Sequence, residues 1–195
     1  MTIIIDLMRH GEPVGGHRYR GHRDDPLSER GWRQMREAVG EHCPWDLIVS
    51  SPLQRCAAFA EELRIRHDLP VELEPRFREI GFGAWEGRTR AELEAENPGC
   101  LQHFYSDPVR HTPPGAEPLL AFQERVTTAF DALLSRHEGR HVLLIGHAGL
   151  MRMIIGHTMA IPLDRIFRIQ VDNACLTRLR VDDGQAALIF HAGRL

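Results

Sequence analysis

The chain contains no lysine: all 24 of its basic residues are arginine. That absence removes whole reaction classes. A P-loop needs a lysine at its phosphates, and Schiff-base or pyridoxal chemistry needs a lysine amine. It also weakens the meaning of any one arginine, because surface arginines here stand in for lysines; only arginines in special positions count. Long apolar runs are missing too. No stretch approaches the roughly 18 residues of a membrane span. Asp6 breaks the first apolar run and no basic segment precedes it, so a secretory leader is not expected and the chain reads as cytoplasmic. Cysteine is scarce and scattered, at Cys43, Cys56, Cys100 and Cys175, with no C-x-x-C pair. Reduced thiols are expected rather than a disulfide framework or a zinc site. A net charge of -3 gives no electrostatic reason for nucleic acid or an anionic membrane as partner. Repeats, low-complexity tracts and linkers are also lacking. The chain therefore reads as one domain, 1–195, with enough apolar residues for a sizeable core.

What is present follows one pattern three times: an apolar run, a short polar turn, then a helix-period stretch. Ile3 to Met8 turns at Arg9-His10-Gly11. Leu47-Ile48-Val49 turns at Ser50-Ser51-Pro52, with a helix from about Leu53. Val142 to Ile145 turns at Gly146-His147-Ala148-Gly149, with a helix from Leu150. Short runs bounded by turns and followed by helices are βα units of a parallel sheet. Further helices are expected over Gly31 to His42 and through Phe122, Val126, Phe130 and Leu134. The helix after Leu150 is expected to run until Ile161-Pro162 stops it. Cys175 to Val181 and Ala187 to Phe190 predict two strands around the turn Asp182-Asp183-Gly184. The fold class is α/β: a three-layer α/β/α sandwich whose mainly parallel sheet carries an antiparallel edge. Residues 81–118, rich in proline and glycine, read as an insertion or lid with one short helix near Arg90 to Glu96.

Open α/β sheets bind ligands at the carboxyl ends of their strands. The three turns bring Arg9 with His10, then Arg55, then His147 to that end. The segment Arg78 to Gly83 adds Glu79. Two histidines, two arginines and an acid suit a phosphate group. Arginine forks pair bidentately with phosphoryl oxygens. A neutral imidazole can attack phosphorus, a second histidine can donate to the equatorial oxygens, and a protonated acid can give its proton to the leaving oxygen.

Leu7-Met8-Arg9-His10-Gly11-Glu12 resembles the R-H-G signature of the histidine phosphatase family, also called phosphoglycerate mutase-like. Ser50 to Cys56 resembles its second arginine motif, Arg78 to Gly87 its catalytic-acid segment, and Gly146 to Gly149 its second-histidine motif. Pro113 to Glu117 is similar to a further family segment. The order and spacing fit over nearly the whole chain. The resemblance implies a phosphohistidine on His10, phosphate binding by Arg9 and Arg55, Glu79 as proton donor and His147 completing the pocket. It implies no metal and no cofactor, and a small phosphomonoester as partner to a monomer or homodimer. It places Gly11, Ala148, Tyr19, Arg20 and Gly21 along the substrate. Tyr19 to Gly31 is similar to the α-ribazole-5′-phosphate phosphatase group of that family, which acts in cobalamin synthesis. Pro13, Phe59, Ala116 and Gly146 depart from the commoner family residues.

Several readings stay open at this level. Arg18, Arg20 and Arg23 either line the entrance or form an ordinary polar loop. Glu86 and Glu12 compete with Glu79 for the acid role, Glu86 being better suited to tying down its loop. Glu117 is a further pocket candidate. Phe82 and Trp85 wall the leaving group or simply pack the core. His17 with His22, and His103 with His111, are poor zinc pairs. A phosphoglycerate mutase, a broad-specificity sugar or nucleotide phosphatase, and a phosphate-binding module without activity are the alternative functions.

Overall fold

The computed structural model describes residues 1–193. Six strands form one sheet in the order β3-β2-β4-β1-β5-β6. β1 (Ile3–Arg9), β2 (Leu47–Ser50), β3 (Val71–Leu73) and β4 (His141–Gly146) run parallel. β5 (Leu176–Asp182) and β6 (Gln185–Gly193) add the antiparallel edge. The register aligns three carboxyl ends: Arg9 lies opposite Gly146, and Ser50 opposite Ile145. The three polar turns therefore emerge side by side.

Alternation along each strand splits the core into two layers. Met8, Ile48, Leu143 and Ile145 face α1 (Glu29–Val39) and α2 (Gln54–His67) through Met35, Val39, Cys56, Phe59 and Leu63. Ile5, Leu7, Val49, Val142 and Leu144 face α5 (Leu119–Arg136) and α6 (Ala148–Thr158) through Phe122, Val126, Phe130, Leu150 and Ile154. Strands buried on both faces read as continuous apolar runs, which is why the parallel core was legible. The fold is the expected three-layer α/β/α sandwich with an antiparallel edge. Among the described residues, no helix is long and apolar enough to cross a membrane.

Local chemistry moves several boundaries. α1 starts at Glu29, not Gly31, because Ser28 accepts the Gly31 N–H and caps it; it ends at Val39 with Gly40 at a φ of 57°. α6 ends at Thr158, short of the proline, and Ala160 leaves it with a φ of 53°. The expected hairpin forms, its first strand shifted by one residue and its second extended at both ends. Its central residues Asp183 and Gly184 have φ of 47° and 79°, both positive, as a two-residue turn requires.

Within 81–118 the expected helix forms as α3 (Arg90–Glu96), with Thr89 and Glu92 making a capping box. A second helix, α4 (Cys100–Ser106), was not expected. α4 is only about two turns long and, unlike the equally short α3, follows Gly99 with no side-chain cap to announce it. Trp85, Leu93, Leu101 and Phe104 form a small core of their own here, with Tyr19, Phe82 and Phe167 packed against it.

Candidate active site

β1 delivers Arg9 and His10 to the sheet's carboxyl edge. His10 is only 6% exposed. Its backbone is held from two sides: its N–H donates to Gly146 O at 2.9 Å, and its carbonyl accepts from Asn173 Nδ2 at 3.1 Å. Its Nδ1 lies 2.7 Å from Gly11 O. A carbonyl can only accept, so Nδ1 carries the proton and Nε2 keeps a free lone pair. Burial, then the charges of Arg9 and Arg55, hold the His10 pKa well below its usual value. The ring is therefore held neutral, with the Nε2 lone pair free. Gly11 is needed for packing: a Cβ there would strike the Gly31 carbonyl.

Two guanidiniums, buried Arg55 and partly buried Arg9, flank this ring. Arg9 Nη1 donates to Val171 O at 2.7 Å. Arg55, at the start of α2, donates through Nη1 to Arg23 O and through Nη2 to Gly21 O, each at 2.8 Å. Both Nε atoms are buried with no protein acceptor among the described residues. A buried donor without a partner costs about 1–3 kcal/mol, so it points to a ligand acceptor. Among the described residues, neither arginine pairs with a carboxylate within 4 Å.

His147 sits at the start of α6, its ring centroid 5.2 Å from that of His10. It is fully buried, so Ala148 rather than His147 lines the cavity surface. Burial, then Arg55, His10 and Arg9, push its pKa well down, leaving it neutral. Glu79 closes the site from the segment after β3. Its carboxylate accepts from Ile80 N and Gly149 N, each at 3.1 Å. A Cβ at position 149 would strike that carboxylate, so the glycine makes room for the acid.

A cavity of about 390 Å³ opens over these groups. Arg9, His10, Arg55, Glu79, Tyr19 and Gly21 all line it, as does Arg20. Arg20 is also an internal strut: its Nη2 donates to Val14 O and Gly16 O, both at 2.7 Å, and Nε to Asp25. Arg18 reaches the cavity wall while donating to Gly87 O. Arg23 is exposed, pairs with Asp25 and does not line the cavity. Glu86 ties its loop down as expected, accepting from His22 N, Arg23 N and Phe82 N. Glu117 pairs with Arg125 at 2.7 Å and accepts from Gly81 N; it braces the Glu79 segment and is not a cavity residue. Phe82 lines the cavity, whereas Trp85 packs in the insertion core.

Sequence reasoning missed several residues here. Ser51 and Cys56 lie beneath His147. Arg90, Tyr105 and Arg152 also line the cavity, and Asn173 holds the His10 carbonyl. Arg90 lies over the Tyr105 ring and Arg152 over Phe167. Tyr19 OH and Tyr105 OH are 2.8 Å apart, joining the entrance loop to the insertion. His22, which the sequence offers only as half of a poor zinc pair, brings Nε2 within 3.1 Å of the Glu79 carbonyl. Ser51, inside the second arginine motif, carried a usable signal; Tyr105 and Arg152 carried none beyond composition.

Comparison with known proteins places this constellation. The histidine phosphatase superfamily (branch 1) matches residues 5–192. The adenosylcobalamin/alpha-ribazole phosphatase of Salmonella typhimurium is 27% identical over 187 residues, spanning 93% of this chain and 92% of that protein. Phosphoserine phosphatase 1 of Hydrogenobacter thermophilus is 29% identical over 195 residues, spanning 96% of this chain and 90% of that one. The alpha-ribazole phosphatase structure from Shigella flexneri superposes with a TM-score of 0.84 at 27% identity, covering 98% of this chain and 96% of that one. The match over almost the whole length, with His10, Arg9, Arg55, Glu79 and His147 gathered at one edge of the sheet, shows that the chain belongs to the histidine phosphatase superfamily.

Proposed function

We propose that the protein hydrolyses phosphomonoesters through a phosphohistidine on His10. The observation that carries this reading is the 2.7 Å bond from His10 Nδ1 to Gly11 O. It leaves Nε2 unprotonated between two arginines whose buried Nε atoms both lack an acceptor among the described residues. In the first step Nε2 attacks phosphorus, the P–N bond forms and the P–O ester bond breaks. Glu79, in its protonated form, gives its proton to the leaving oxygen. In the second step Glu79 takes a proton from water, the water oxygen bonds phosphorus, and the P–N bond breaks. Arg9 and Arg55 hold the phosphoryl oxygens in both, and His147 donates to one of them. No metal or cofactor enters this scheme. Residues 1–195 act as one catalytic unit, with 81–118 as its outer wall. The four cysteines are unpaired, which supports a reducing, cytoplasmic setting.

The first candidate substrate is α-ribazole 5′-phosphate. The Tyr19 to Gly31 segment and the 27% identity to the Salmonella typhimurium enzyme support it. A second reading rests on charge. Arg90 and Arg152 line the cavity, and neither has a carboxylate within 4 Å among the described residues. An ester whose alcohol bears a carboxylate would complement them, and the Hydrogenobacter thermophilus relative is named for phosphoserine. One panel tests both: kcat/KM for α-ribazole 5′-phosphate, phosphoserine, 3-phosphoglycerate and p-nitrophenyl phosphate, in chelator, with rapid quenching for an acid-labile phosphoenzyme. A phosphoenzyme present in the wild type and absent in His10→Ala is expected. Full turnover by His10→Ala would sink the proposal. A lead of about 100-fold for α-ribazole 5′-phosphate (about 2.7 kcal/mol in the transition state) selects that substrate; a lead for the carboxylates selects the second reading.

A further inference from the structure

His147 has two ring nitrogens, and their surroundings differ. Nε2 lies 2.7 Å from Ser51 Oγ. Nδ1 has no nitrogen or oxygen partner among the described residues. The Cys56 sulfur lies 3.8 Å from Nδ1 and 3.7 Å from Nε2; these near-equal distances place it in line with neither. Ser51 is fully buried, so its hydroxyl must find partners within the protein. Its oxygen already accepts from Leu53 N at 3.3 Å. Its hydrogen then has two possible acceptors. One is the lone pair of His147 Nε2. The other is the Cys56 sulfur, a weak acceptor whose own S–H donates to Gly146 O at 3.4 Å.

We propose that Ser51 is a positioning residue that donates its hydroxyl hydrogen to His147 Nε2 and so fixes His147 as the Nδ1–H tautomer. The ring then presents its one N–H to a phosphoryl oxygen beside His10. The inference deepens the phosphoryl-transfer reading and rests on it for its functional half. A neutral imidazole has only one proton to donate, and a neutral ring is what burial between Arg55 and Arg9 enforces. With the proton on Nε2, it would be spent on Ser51 and Nδ1 would turn a lone pair toward an anion. Burial pushes the Cys56 thiol up to about 12, so the sulfur stays a neutral S–H and does not compete as a thiolate. The two active-site histidines thus share one logic. A carbonyl fixes the proton of His10 on Nδ1 and frees Nε2 to attack; a hydroxyl fixes the proton of His147 on Nδ1 so that it can donate.

The test is a ring-nitrogen NMR spectrum of the uniformly ¹⁵N-labelled full chain at neutral pH, with His147→Asn assigning the signals. A protonated Nδ1 and an unprotonated, hydrogen-bonded Nε2 are expected for His147. A proton on Nε2, or on both nitrogens, overturns the inference. Ser51→Ala is expected to mix the tautomers and lower kcat about 10- to 100-fold, the usual scale when a histidine loses its orienting partner, with a smaller change in KM. Ser51→Thr keeps the hydroxyl and is expected to restore most of the loss; unchanged kcat in Ser51→Ala also overturns it. If Ser51→Ala does not fold, the wild-type spectrum decides alone. An Nδ1–H spectrum in a protein that hydrolyses no phosphomonoester sinks the activity reading and leaves the tautomer assignment supported.

Discussion

Replacing Glu79 by glutamine separates proton donation from every other role of that side chain. The amide keeps the size and one acceptor oxygen but cannot give up a proton. General acid catalysis contributes about 10²- to 10⁴-fold, or roughly 3–5 kcal/mol. The size of the loss should depend on the ester. An alkyl phosphate leaves as a strongly basic alkoxide and needs the proton. p-Nitrophenyl phosphate leaves as a stable phenolate and needs it little. The structure adds a second, separable cost. Both Glu79 oxygens accept backbone N–H groups, from Ile80 and Gly149. Glutamine can satisfy one; its NH₂ faces the other, an uncompensated contact worth about 1–3 kcal/mol. For a domain of this size that lowers Tm by about 2–4 °C per kcal/mol, visible in a melt run beside the kinetics. The assay is kcat/KM on the two esters at one pH and at a temperature below the Tm of both proteins. A loss of about 10²-fold or more on the alkyl ester, with less than about tenfold on the nitrophenyl ester, is expected. Equal losses on both would refute proton donation and make Glu79 a positioning group.

Other consequences can be checked independently. Gly149→Ala puts a methyl against the Glu79 carboxylate; it should reproduce the ester-dependent loss of Glu79→Gln, and a variant as active as wild type on alkyl esters would show that the acid sits elsewhere in the reacting complex. His10 must be neutral to attack, and its pKa lies well below 6.5; the acid limb of kcat/KM should therefore fall below pH 6.5, and a His10 titration seen by NMR at or above that value would contradict the reading. Asp6 is fully buried in β1. Burial alone would raise its pKa, but hydrogen bonds from Arg178, His141 and Trp45 outweigh that and hold it at about 2, against an ordinary 3.8. Its folded pKa is the lower one, so the stability it contributes is complete above 3.8 and is lost as pH falls toward 2, about 2 kcal/mol in all. Urea midpoints measured across that window should drop in the wild type and drop less in Asp6→Asn; parallel curves would rule Asp6 out as the cause.

The parallel core was readable because β1, β2 and β4 are buried on both faces, and a buried strand must be apolar throughout. Each run also ends abruptly in a polar turn followed by a helix, so its carboxyl end could be located to a residue or two. That alone places Arg9, His10, Arg55 and His147 at one edge of the sheet. Glu79 was reachable only because its segment matched a family motif; no period or spacing ties it to the other four. β3 carries too little pattern in three residues, and α4 lacks the side-chain cap that marks the equally short α3. Helix ends moved by a few residues where a single cap, such as Ser28, decided them.

What the sequence determined by itself was the layering, the order of the parallel units along the chain, and the gathering of Arg9, His10, Arg55 and His147 at one candidate site. These follow from alternation and from where apolar runs stop, which are local properties. Only the tertiary structure decided what each charged or polar group faces. It turned Arg20 inward as a loop strut and sent Arg23 to solvent, although both lie in one entrance loop. It made Glu117 a brace for Arg125, and it brought Arg90, Tyr105 and Arg152 from three separate helices to one cavity. It set Ser51 against Nε2 of a histidine 96 residues away. Such pairings depend on distances between segments far apart in the chain, and no local pattern carries them. Proton position, and with it the chemistry, is decided at that level.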